Sequence, residues 1–223
     1  FFIAEEVDVI NLSGGWSVGP FDGTAEQDVQ ANRAIDAGIV WVNAAGNEAD
    51  QHFAADYVDA DLDGWSEIAG TVEINDFVVP AGDSFQIVLN WTQPTEDLDL
   101  CLWDLEAPII NPGDQPVREI DCSEGIQNAP FHRPLEVIDW INTYGESHQF
   151  GFSIGGNPLD PATGVHFDVF TNVVEDLGVQ TPESSLLVPG ATERVITVGA
   201  VPWYNRSSVE SFSSRGPTAD GRV

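Results

Sequence analysis

Lysine and methionine are absent from this chain, and its seven cationic side chains, all arginines, face 37 acidic ones, a formal net charge of -30 over 223 residues. So acidic a surface repels polyphosphate and anionic lipid, which excludes nucleic acid and a membrane surface as expected partners. The acidity is spread along the sequence rather than gathered in a tail, as on a solvated surface. Adaptation to high salt, where screening relieves self-repulsion, is the expected reason; an acidic secreted protein steadied by bound cations is the alternative. No apolar run approaches the roughly 20 residues that cross a bilayer, so no membrane span is expected. No charged-then-apolar leader stands at the start. Cysteine is scarce too. Cys101 and Cys122 each lie in a strand-like segment, and neighbouring antiparallel strands would bring them within bridging distance. A disulfide is expected, which supports export to an oxidising compartment; two buried free thiols are the alternative.

What is present suffices for a packed core: 42% of residues are hydrophobic and 10% aromatic, enough for one large domain or two modest ones. Val7 to Ser13 reads as a strand of a parallel sheet. Thr24-Ala-Glu-Gln27 has capping-box spacing, and Val29, Ala31, Ala34 and Ile35 then recur at helical intervals until Gly38. Residues 39–45 form the next strand. Such a strand-helix-strand unit predicts an α/β fold with ligands beyond the carboxyl ends of its strands, where Ser13-Gly14-Gly15 and Gly46-Asn47 stand.

After Glu48 the texture changes. Short β-rich runs at 70–74, 84–91, 98–103, 134–138, 148–154 and 165–170, separated by Gly, Pro, Asp and Asn, predict an antiparallel β-sandwich over residues 53–175. Ser184-Ser-Leu-Leu-Val-Pro-Gly190 then leads into an expected strand from Arg194 to Val201 and a Ser-rich loop at 211–217. The expected organisation is an α/β parallel-sheet domain, residues 1–50 and 184–223, interrupted by that jelly-roll-like insert, since a long insertion at an exposed loop costs little closure entropy.

Four segments in order carry a resemblance: Val7-Asp-Val-Ile-Asn-Leu-Ser-Gly-Gly15, Ala44-Ala-Gly-Asn47, Val195-Ile-Thr-Val-Gly-Ala-Val201 and Ser211-Phe-Ser-Ser-Arg-Gly-Pro217. Together they resemble the subtilisin-like serine peptidases (subtilases, peptidase family S8), over roughly residues 1–50 and 184–223. Val79-Pro-Ala-Gly-Asp83, the run into Asn90-Trp91 and Asp97-Leu-Asp-Leu100 are similar to the bacterial pre-peptidase C-terminal domain. The first resemblance implies that Asn47 donates its amide in an oxyanion hole. It implies that Ser13, Gly14 and Gly15 form one wall of the substrate pocket, that Ala44, Ala45 and Gly46 form the other, and that Pro189 and Gly190 lie beneath it. In that family Asp and His precede the first matched segment and Ser follows the last, so the catalytic Asp, His and Ser are expected outside this piece. Taken alone, the piece is expected to be inactive. For both triplets the alternative is close packing without ligand contact. For Asn47 it is a turn residue bonding its own backbone.

Asp59, Asp61 and Asp63, alternating before Gly64 and with Glu67 beyond, have the hard-oxygen pattern of a structural Ca²⁺ loop. Gly70 stands where an EF-hand needs Glu, so the loop is not an EF-hand. Asp97 and Asp99 are the next candidates, and acidic turns without a cation are the alternative. His52, His132, His148 and His166 fall outside the matched segments and read as ordinary surface or packing residues. The resulting expectation is the central part of a secreted serine endopeptidase acting on polypeptides, with no catalytic cofactor and an insert whose partner is unknown. The rivals are a non-catalytic binding protein whose sandwich recognises protein or glycan, and a structural surface-layer module.

Overall fold

A computed structural model describes residues 1–108, 116–126, 133–156, 164–173, 176–218 and 221–222. In chain order its elements are β1 (Val9–Leu12), α1 (Glu26–Asp36), β2 (Val40–Ala44), β3 (His52–Asp56), β4 (Asn75–Val79), β5 (Ser84–Trp91), β6 (Leu98–Asp104), β7 (Arg118–Ser123), β8 (Leu135–Ile141), β9 (His148–Gly156), β10 (His166–Thr171) and β11 (Ile196–Val198). They divide between two compact units, residues 1–50 with 181–223 and residues 51–180.

In the first unit, β1, β2 and β11 form a parallel sheet with β2 at its centre, and α1 supplies the crossover that a parallel pair requires. The helix is capped one residue later than its sequence suggests. Asp28, not Gln27, reaches back: its Oδ2 accepts the Ala25 N–H at 3.0 Å, and its Oδ1 accepts the Thr192 hydroxyl at 2.6 Å. Thr24 instead donates its hydroxyl to Asp22 at 2.6 Å. Burial raises the Asp28 carboxyl above its ordinary range, and the bonds from Thr192 and Ala25 pull against that shift. Gly38, at φ +92°, takes the left-handed position that lets the chain leave the helix. Ala34 packs with Ile10 and Ile39 beneath the helix, flanked by Val7 and Trp41. Registered residues of a parallel pair share a face, so Val9, Val40, Ile196 and Val198 lie on the other side, all exposed.

The second unit holds two four-stranded antiparallel sheets, β3-β10-β5-β8 and β4-β9-β6-β7. Alternating inward residues from both sheets, among them Phe77, Leu89, Leu100, Phe150, Phe152 and Phe167, merge into one core, as in sandwiches whose inner faces interdigitate. Cys101 and Cys122 occupy directly paired positions of β6 and β7 and are joined by a disulfide. The strand expected at 70–74 does not form. Gly70 sits at φ +66° and closes a tight Ala69–Val72 bridge, so the strand starts at Asn75. β3 carries no clear apolar alternation, which is why the sequence pattern misses it.

The α/β class expected above is therefore corrected. Eight of the eleven strands among the described residues are antiparallel, the parallel sheet has three strands, and there is one α-helix. The strand-helix-strand signal is local and real at 9–44, but it sets the architecture of that segment only. A class follows from how strands pair over long range, and there the antiparallel pairs dominate.

Candidate functional site

The carboxyl ends of β1 and β2 carry the residues singled out by sequence. Where β1 ends, Ser13 and Gly14 are exposed and Gly15 half-buried; where β2 ends, Ala45 is buried, Ala44 and Gly46 half-buried, and Asn47 exposed. The side chain of Asn43, fully buried, ties the two ends together: its Nδ2 donates to Gly14 O at 3.1 Å and to Ala44 O at 2.7 Å, while its Oδ1 accepts the Trp41 indole N–H at 3.2 Å. An amide inside an apolar strand run was the visible signal for this role, since a buried polar side chain needs partners.

The two triplets flank residues 187–188. Leu187 N–H donates to Ala45 O at 3.2 Å, and Trp16 and Val188 exchange backbone bonds of 2.9 and 3.2 Å. A Cβ on Gly15 would lie 2.6 Å from Leu187 Cβ, so that glycine is required by the chain's own packing. Pro189 and Gly190 are buried. Gly190 O accepts the Thr197 hydroxyl at 2.6 Å, and a Cβ on Gly190 would lie 2.9 Å from Leu187 O.

Asn47 keeps its side-chain amide without a partner among the described residues. Its backbone N–H donates to the Glu48 carboxylate at 2.6 Å, and Glu48 in turn meets Ser214. Glu48 is not marked by pattern, and Ser214 lies in the Ser211–Pro217 segment without a role of its own; only the tertiary contact between positions 166 apart reveals the pair.

In the second unit, oxygens of Asp59, Asp61 and Asp63 approach one another within 4.8 Å. Two of these side chains also organise their own loop: Asp59 accepts the N–H groups of Asp63 and Gly64 at 3.1 and 3.0 Å, and Asp63 accepts that of Trp65 at 3.0 Å. Glu67 accepts Ala60 N–H at 2.9 Å. The two acidic stretches of the sequence meet here, because Asp63, Asp97, Asp99 and Glu124 line one open cavity of about 500 Å³ beside Trp65. Burial, then repulsion from Asp97, Glu124 and Glu136, pushes the Asp99 carboxyl up to about 6. Carboxylate oxygens are the donor type that a hard divalent cation takes, and those of Asp59, Asp61 and Asp63 lie close enough together to share one.

The three described histidines each face a carboxylate within this unit. His52 Nε2 lies 3.1 Å from Asp168, His166 Nδ1 2.9 Å from Asp56, and His148 Nε2 2.7 Å from Asp104; His132 lies outside the described residues. Asp104, fully buried, also accepts the Tyr144 hydroxyl at 2.7 Å and the Glu106 N–H at 3.0 Å. Burial works to raise its carboxyl, but the bonds from Tyr144, His148 and Glu106 outweigh it and hold the group below the ordinary range.

No family model matches this chain, and no curated protein does. Among solved structures, the fold is similar to that of the CspB protease of Clostridium perfringens, with a TM-score of 0.59 and 17% identity over 96% of this chain and 46% of that one. The chain thus spans less than half the length of that protease, and the likeness is one of fold alone. A mitogen from Yersinia pseudotuberculosis aligns at a TM-score of 0.35 and 12% identity over 58% of this chain and 93% of its own, too low to carry an argument. The assignments to the subtilisin-like peptidase family and to the pre-peptidase C-terminal domain are corrected accordingly: neither has a matching family model or curated relative. The physical reason is the shortness of the matched segments. An apolar strand ending in small residues and an Asn or Ser is what many strand-to-turn junctions require, so four such runs do not specify a family.

Proposed function

We propose that the first unit is part of the substrate-binding framework of a serine endopeptidase, with the catalytic Asp, His and Ser outside residues 1–223. Ser13 and Gly14 offer exposed backbone to an extended polypeptide, while Gly15, Ala44, Ala45 and Gly46, held by Leu187, Asn43 and Ser214, shape the walls beside it, and Pro189 and Gly190 support them from below. Asn47 donates its amide to the substrate carbonyl oxygen. When a serine oxygen bonds to the carbonyl carbon, the π electrons move onto that oxygen, and a donor already aimed at it stabilises the charge without reorganising. The observation that carries this reading is the exposed, unpartnered Asn47 amide at the tip of β2, beside the exposed Ser13-Gly14 backbone at the tip of β1. The fold shared with a protease supports it.

The test uses the whole protein. Asn47→Ala is expected to lower kcat for peptide hydrolysis by roughly 10²- to 10³-fold with little change in KM, the usual effect of removing one oxyanion donor. Absence of hydrolysis, together with failure of a serine-directed phosphonate to label the protein, defeats the reading. It would favour a binding protein whose sandwich recognises protein or glycan.

We also propose a structural Ca²⁺ on the acidic loop, held by Asp59, Asp61 and Asp63 with Asp97 and Asp99 nearby. The convergence of these stretches on one cavity supports it. Calorimetric titration of calcium into chelator-treated protein is expected to show binding and a raised melting temperature; no heat at about millimolar calcium removes the proposal.

Secretion belongs with this reading. The Cys101–Cys122 disulfide is compatible with an extracellular location. No helix among the described residues is long and apolar enough to cross a membrane.

A further inference from the structure

Residues 46–49 of the first unit are clamped by residues 212–214. Ser214 N–H donates to Gly46 O at 3.0 Å, and Ala49 N–H donates to Phe212 O at 3.1 Å. The Ser214 hydroxyl oxygen accepts Glu48 N–H at 3.0 Å, and its proton is given to Glu48 Oε2, also 3.0 Å away. That carboxylate oxygen folds back to accept Asn47 N–H at 2.6 Å. Gly46 lies at φ +119°, and a Cβ there would lie 2.6 Å from Ser214 Oγ and 3.1 Å from Leu187 Cγ, so the turn has no slack. Asn47 alone points a free amide out of this clamp.

We propose that Glu48 and Ser214 are a positioning pair, holding the Gly46-Asn47 turn so that the Asn47 amide keeps one direction. The proposal rests on the reading of Asn47 as a donor to a peptide carbonyl. Its chemistry is simple: one carboxylate oxygen accepts from both the Asn47 backbone and the Ser214 hydroxyl, and charge-assisted bonds of this kind are the stronger ones.

The pair carries a pH signature. Burial raises the Glu48 carboxyl above its ordinary range against the pull of Ser214 and Asn47, and Asp50, the charged neighbour that acts on it, raises it further. Leu187 and Ser214, set against the turn from the two packed segments, carry no charge. A carboxyl raised by folding favours the folded state when protonated, so acidification through this range stabilises the fold while it weakens the acceptor that holds Asn47.

The test follows the ¹⁵N-labelled Asn47 backbone amide of the chain by NMR. Its proton is expected downfield at neutral pH and to move upfield in one step as pH falls, with the midpoint above the usual glutamate range; in Glu48→Gln it stays flat. In the whole protein, Glu48→Ala is expected to lower kcat by roughly tenfold to a hundredfold at nearly constant KM, the scale on which misplacing a catalytic group acts. Glu48→Gln, which keeps an acceptor oxygen, restores most of it. An Asn47 amide that does not titrate, or titrates equally in Glu48→Gln, overturns the proposal. So does an unchanged kcat in Glu48→Ala. If the wild-type protein hydrolyses no peptide, the reading of Asn47 fails, and the amide titration by itself then decides whether the pair holds the turn.

Discussion

At the scale of single residues, the buried polar side chains of Asp28, Asn43 and Asp104 are each held by more than one partner. Asp104 shows it most fully, surrounded by Tyr144, His148, Arg118 and the Glu106 amide. Replacing it with Asn leaves a neutral amide facing donors arranged for a carboxylate. Asp104→Asn is expected to cost about 3 kcal/mol, the order measured when one member of a buried charged network is removed. The pH dependence follows from its lowered carboxyl. That contribution is present above the unfolded-state value near 3.8 and is lost as pH falls through the lower folded value. Urea unfolding of wild type and variant between neutral pH and strong acid is expected to show the two converging at the acid end. A gap that persists there contradicts the assignment.

At the scale of elements, β-branched and aromatic runs bounded by turn residues were a dependable guide. The expected runs at 84–91, 98–103, 148–154 and 165–170 lie on β5, β6, β9 and β10 within two residues at either end, although β9 and β10 are buried on both faces and show no strict alternation. β3 and β4 escaped that guide. His52–Asp56 holds no β-branched residue, and β4 begins only after the Gly70 turn has used up the expected run. The pairing of Cys101 with Cys122 was legible because both follow strand patterns and the chain offers no third cysteine. Closing a loop of 21 residues' separation, the bridge is expected to contribute about 3 kcal/mol by restricting the unfolded chain. Differential scanning calorimetry of the oxidised protein and of a Cys101→Ser/Cys122→Ser variant checks this, and equal melting temperatures would sink it.

At the scale of the whole molecule, a net charge of -30 on 223 residues is a repulsion that every folded conformation bears. Added monovalent salt screens it, so the melting temperature is expected to climb steadily from dilute buffer toward molar salt, since the Debye length shrinks from about 10 Å at 0.1 M to about 3 Å at 1 M. A melting temperature indifferent to salt rejects the halophile expectation. Calcium, acting at a specific site, is distinguished by saturating at far lower concentration.

Composition and pattern by themselves determined the charge, the turn at Gly46-Asn47, the helix over 26–36, the disulfide and most sandwich strands. Each of these depends on neighbours in sequence or on totals over it. Tertiary structure alone decided that antiparallel pairing outweighs the small parallel sheet, that Leu187 packs between the two glycine-bearing strand ends, that Asp63 and Asp99 line one cavity, and that Ser214 closes on Glu48. These contacts join residues tens to more than a hundred positions apart, and a contact of that kind leaves no periodicity in the sequence because its free energy belongs to the pair and appears only when both partners are in place.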